Sequence, residues 1–72
     1  MKSRSLQLLE KIEAGLVSPK KSSTSQAIMA AMVFDRHELY PFDWGNSTEK
    51  EKLDRLDAEQ IDAIKQFKQE RI

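Results

Sequence analysis

The chain holds one histidine, His37, with Asp35 two positions before it and Glu38 directly after. Histidine among carboxylates is the raw material of general acid–base catalysis, but a working base needs a partner within hydrogen-bond reach and a pocket. Residues one and two apart on a helix point in different directions, so this spacing supplies neither. Asp43 is a further carboxylate that folding could bring near, although nothing in the spacing requires it. His37 therefore reads as a surface or helix-end histidine. The seven serines include no nucleophile elbow of the G-x-S-x-G form. Gly15 and Gly45 stand thirty residues apart, which excludes a glycine-rich phosphate loop. Asp54, Asp57, Glu59 and Asp62 follow helical spacing and lack the glycine of an EF-hand loop, so they read as a solvated helix face. The sequence predicts no enzyme, metal site, cofactor or small-molecule substrate.

Binding chemistry is better represented. Phe34, Tyr40, Phe42 and Trp44 place four of the five aromatic residues within eleven positions. Each buried ring would contribute roughly 2–3 kcal/mol to a small core. Tyrosine, tryptophan and arginine are also the residues most enriched at binding hot spots. If Tyr40–Trp44 were extended, Tyr40, Phe42 and Trp44 would share one face and Asp43 the other. The expectation combining both roles has Phe34 and Phe42 directed inward and Tyr40 and Trp44 at a half-wet rim. The partner-binding surface predicted from this cluster is Tyr40, Phe42 and Trp44, with His37 and Arg36 beside them.

A second candidate surface is basic. Lys2, Arg4, Lys11, Lys20 and Lys21 gather in the first 21 residues. Ser18-Pro19-Lys20-Lys21 resembles the S-P-K-K element of linker-histone tails, which implies contact with nucleic-acid phosphates. Lysines before a helix start could meet phosphate together with free backbone N–H groups. The stretch between Ala14 and Thr24 is too long for the turn of a helix-turn-helix, and the apolar segment 27–34 offers no polar face to base edges. Backbone contact through Lys11, Lys20 and Lys21 is therefore the form that DNA binding would take. Residues 1–36 carry six Lys/Arg against three Asp/Glu, net +3, and residues 37–72 carry six against nine, net −3.

The elements that must position these residues follow from apolar spacing and capping. Leu8, Leu9, Ile12 and Leu16 recur at helical intervals, and Gly15 suits a left-handed cap, so a helix is predicted over 5–14. Residues 17–24, rich in serine and lysine around Pro19, read as a flexible loop. Ser23 and Gln26 have the spacing of a capping box, which starts a second helix near Thr24. AIMAAMVF, residues 27–34, is uninterrupted by polar residues and predicts a central buried helix over about 24–38, ending before Pro41. Residues 39–47 form the aromatic loop. Thr48 and Glu51 are a second capping pair, with Asn46 and Ser47 as competing caps; this also accounts for the Asn46-Ser47-Thr48 sequon. Leu53, Leu56, Ile61, Ile64 and Phe67 share a face if one helix follows, with Glu51 and Arg55 paired on the other. Asp57 and Gln60 form a third capping pair, so a break at Asp57 and an unbroken helix both stand open. Residues 69–72 are expected to fray.

Composition supports the same class. The chain has 72 residues, of which 39% are hydrophobic and 33% charged, with two glycines, two prolines and no cysteine. A chain of this size makes one domain with a small core. The absence of cysteine and of an apolar leader in MKSRSLQLLEKIEAG predicts a cytoplasmic protein, and no apolar run reaches a membrane span. The fold class expected is all-α, a small bundle of three or four helices around the segment 24–38. In general character it resembles the small accessory proteins of phages, plasmids and bacterial genomes. The function expected is a non-enzymatic regulator or adaptor that binds a larger protein partner through the aromatic loop, with a homodimer in prospect. The alternative is a DNA-binding regulator using the basic amino-terminal half.

Overall fold

The computed structural model describes residues 2–71. Four α-helices run Arg4–Glu13 (α1), Thr24–Phe34 (α2), Glu49–Arg55 (α3) and Ala58–Gln69 (α4), joined through short 3-10 turns at Pro19–Lys21, His37–Leu39 and Trp44–Asn46. About 70% of the described residues are helical, and none is in a strand. The all-α class and the small helical bundle are as the sequence predicts.

Local chemistry sets the helix ends. Ser3 caps α1 by accepting a hydrogen bond from the Leu6 N–H at 3.1 Å. Gly15, at φ +78°, closes it. The Gly15 N–H donates to the Ile12 carbonyl at 3.0 Å and the Leu16 N–H to the Lys11 carbonyl at 2.9 Å, the paired bonds of a Schellman ending. All three predicted capping boxes form, at Ser23–Gln26, Thr48–Glu51 and Asp57–Gln60. The third resolves the open choice: α3 stops and α4 begins afresh at Ala58. Glu51 is occupied by its cap and makes no ion pair with Arg55.

The central helix is shorter than the sequence predicts. It ends at Phe34, because Asp35 turns left-handed at φ 54° and the Arg36 N–H then reaches back to the Ala31 carbonyl at 3.0 Å. Aspartate tolerates this conformation better than most residues, and once it is adopted the helical ladder cannot continue to residue 38.

Residues Ala27 to Ala31 of α2 are all buried, and α4 packs against both α1 and α2. Leu6, Leu9, Ile28 and Met29 are the largest fully buried side chains, joined in the core by Leu56, Ala63, Ile64 and Phe67. Leu6, not among the residues periodicity selected, is buried on α1, whereas Leu16 is 76% exposed beyond the Gly15 turn. Phe34 meets Phe67 edge-on, with ring centroids 5.3 Å apart. Two polar bonds tie the helices: Ser5 Oγ donates to Glu59 Oε1 at 2.7 Å, and Gln60 Nε2 donates to Ser25 Oγ at 3.1 Å. No buried side-chain polar atom among the described residues lacks a partner.

The end of α4 is held rather than frayed. Arg71 forks onto Glu13, with Nε and Nη2 donating at 2.8 and 2.7 Å, and its guanidinium lies 3.4 Å above the Phe67 ring. Ile72, the last residue of the predicted frayed end, lies outside the described residues. The radius of gyration, 11.2 Å, is that of a close-packed chain of this length. Among the described residues no helix is long and apolar enough to cross a membrane.

Candidate interaction surface

The loop between α2 and α3 is built outward from one anchor, Leu39, whose side chain is 8% exposed. After the left-handed Asp35, the His37–Leu39 turn is closed by the Leu39 N–H on the Arg36 carbonyl and the Tyr40 N–H on the His37 carbonyl, both at 3.1 Å. Tyr40 follows half-buried. Lys52 of α3 lies 4.5 Å above its ring, and His37 meets it edge-on at 5.6 Å. Partial burial holds the Tyr40 phenol above its ordinary pKa, helped by the nearby Asp35 and Glu49 carboxylates.

Beyond Tyr40 the chain reverses. The Trp44 N–H donates to the Pro41 carbonyl at 3.1 Å, which makes Phe42 and Asp43 the central pair of a β-turn. Phe42 has φ +52° and Asp43 sits at φ −94°, ψ 11°. A positive φ at the first central position only is the pattern of a type II′ turn, where glycine is the usual occupant. An aromatic residue held there is strained.

This turn overturns two sequence expectations. The segment is not extended, so Tyr40, Phe42 and Trp44 do not share a face. Phe42 is 89% exposed, not inward. The reversal that carries Trp44 back to the protein throws the intervening residue out. Tyr40 and Trp44 pack half-buried against the core, as the rim expectation has it, and Phe34 is half-buried on Phe67.

Shallow grooves flank the exposed ring. One, of about 210 Å³, is formed by Phe42, Asp43, Trp44 and Ser47. Another, of about 330 Å³, lies between the segment carrying Lys20, Ser22 and Thr24 and the segment Glu38–Phe42, with the buried Ala27 and Leu39 also lining it. The two surfaces that the sequence treats as separate candidates therefore meet: Lys20 of the basic turn and Phe42 of the aromatic loop line one groove. Lys21 is exposed on the same 3-10 turn, whereas Lys11, exposed on α1, lines none of these grooves. Arg36 pairs with Glu38 at 3.5 Å and opens onto a different groove of about 350 Å³, with Ile12 and Phe34. His37 is exposed and faces Gly45 and Tyr40.

Sequence reasoning missed Leu39, Glu38 and Thr24 as parts of this surface. Leu39 carried a usable signal, as an isolated aliphatic residue between Glu38 and Tyr40 in an otherwise open segment. Among the described residues no three His, Asp or Glu side chains converge as a metal site would need. No family model matches this chain, and neither the curated proteins nor the solved structures contain a match to it.

Proposed function

We propose that this chain is a small non-enzymatic interaction module, a cytoplasmic regulator or adaptor that binds a larger protein partner through the loop 39–47. One observation carries the reading: Phe42 is 89% exposed at a backbone position with φ +52°. A large apolar side chain on a strained turn contributes nothing to its own core and costs about 1–3 kcal/mol in backbone strain. Strain of this kind concentrates at ligand-binding positions, and a protruding ring flanked by half-buried aromatic residues has the make-up of a hot spot.

The test replaces Phe42 with the photocrosslinker p-benzoylphenylalanine in cells that produce the chain, with the same residue at exposed Asp62 as control. A discrete adduct at position 42 with a protein other than this chain, absent at position 62, supports the reading. Identical adduct patterns at both positions would rule it out.

The DNA reading retains one favourable observation, that Lys20 and Lys21 are exposed and make no ion pair among the described residues. It requires affinity for a mixed-sequence duplex that collapses between about 50 and 200 mM salt. Lys20→Ala with Lys21→Ala should then flatten that slope. Absence of binding at low salt would eliminate it.

A further inference from the structure

We infer that a second copy of this chain also occupies the groove beside Phe42, each copy seating its Phe42 in the groove of the other. The inference rests on the reading of the loop 39–47 as a binding surface and names a further occupant for it.

Three observations point to a second copy. First, knob and hole lie together: Phe42 is 89% exposed and itself forms one edge of the 330 Å³ groove, whose lining includes Leu39 and Ala27. A two-fold contact uses the same patch on both subunits, so a patch must be complementary to itself. A projecting ring next to a hollow meets that condition, because one rotation seats both rings at once.

Second, the groove carries one charge of each sign, Lys20 and Glu38. In the proposed dimer Lys20 of each copy faces Glu38 of the other. Among the described residues Glu38 otherwise has only the exposed pairing with Arg36 at 3.5 Å, and an exposed pair of that length holds it weakly.

Third, the chain has a formal net charge of zero at pH 7. No long-range repulsion opposes the approach of two copies.

Area sets the strength. A buried aromatic side chain covers about 150–250 Å², so two reciprocal rings with their grooves stay below the roughly 1,200 Å² of stable complexes. The dimer is weak and forms only when the chain is concentrated. It hides Phe42 when the chain is concentrated and frees it on dilution, so self-association and partner binding compete for one surface.

Sedimentation equilibrium of the full chain from about 10 µM to about 1 mM spans the dissociation constants expected of such a contact. The wild type should pass from monomer to dimer. Phe42→Gly should weaken the dimer at least about tenfold, and so should Lys20→Glu, which sets like charges face to face. Adding Glu38→Lys to Lys20→Glu should restore it. Helical circular dichroism matching the wild type ensures that each variant is folded.

A wild type that stays monomeric at about 1 mM, a dimer unaffected by Phe42→Gly, or a charge reversal that is not rescued would each overturn the inference. A monomeric chain that still cross-links at position 42 to another protein would defeat only the second copy. A dimer whose adducts at position 42 are solely with itself would support the second copy and defeat the larger partner.

Discussion

The imidazole of His37 lies against Gly45 so closely that a methyl group on Gly45 would stand 2.6 Å from Nε2. The same ring meets Tyr40 edge-on at 5.6 Å, so His37 links the two ends of the turn that presents Phe42. One side chain thus contacts residues on both sides of the turn.

Replacing Gly45 by alanine should push the imidazole away and loosen the loop without unfolding the bundle. His37 is exposed and can swing outward, so the stability loss should stay below about 1 kcal/mol. The readout is the His37 and Tyr40 ring proton shifts by NMR, which should both move. Unchanged Tyr40 shifts would mean that His37 does not brace it.

Gln60 joins a helix cap to a contact between helices. Its Oε1 accepts from the Asp57 N–H at 3.0 Å to complete a cap, while its Nε2 holds Ser25 of α2 at 3.1 Å. The residue is 7% exposed. Gln60→Leu preserves bulk but leaves the Asp57 N–H and the Ser25 hydroxyl without this partner, and should cost about 1–3 kcal/mol in urea denaturation. Gln60→Glu keeps the acceptor and should fall between the two. Equal midpoints for all three proteins would show that neither bond matters to stability.

The Glu13–Arg71 fork should make the stability of the bundle depend on acid pH. The hydrogen bonds from Arg71 hold the Glu13 carboxyl below its ordinary pKa, outweighing a smaller opposing effect of desolvation. A carboxylate with a depressed folded-state pKa stabilises the fold above its unfolded pKa, and that contribution disappears as the pH falls through the folded value. Glu13→Gln should therefore melt below the wild type at pH 7, with the gap closing below about pH 4, the ordinary glutamate range. A gap that does not change with pH would place the effect in packing instead of charge.

Much of this architecture was legible in the sequence because it rests on local chemistry. Ser23–Gln26, Thr48–Glu51 and Asp57–Gln60 each contain donor and acceptor three residues apart, so each cap closes whatever the tertiary context. Gly15 likewise announces its turn. What escaped depends on dihedral choices that side chains do not advertise. Asp35 ends α2 early by going left-handed, although it sits in a stretch that otherwise reads as helix. Phe42 occupies a turn position that favours glycine, so no propensity argument would place it there, and the alternation argument assumed an extended backbone that the turn abolishes. Lys20 and Phe42 line one groove only because the chain after α2 folds back along that helix toward the turn that precedes it. The failure of sequence rules at Phe42 is itself informative, since local rules break most often at functional positions.

The most direct measurement is the urea unfolding free energy of Phe42→Gly against the wild type. A phenylalanine that served the core would cost about 3–5 kcal/mol on removal of its side chain. An outward ring on a turn that prefers glycine should cost nothing, and relief of backbone strain should leave the variant as stable or more stable by about 1 kcal/mol. That result, with the adduct at position 42 confirming what the ring is for, is the one predicted here. A loss of several kcal/mol would return Phe42 to the core and contradict the assignment of this loop to a partner.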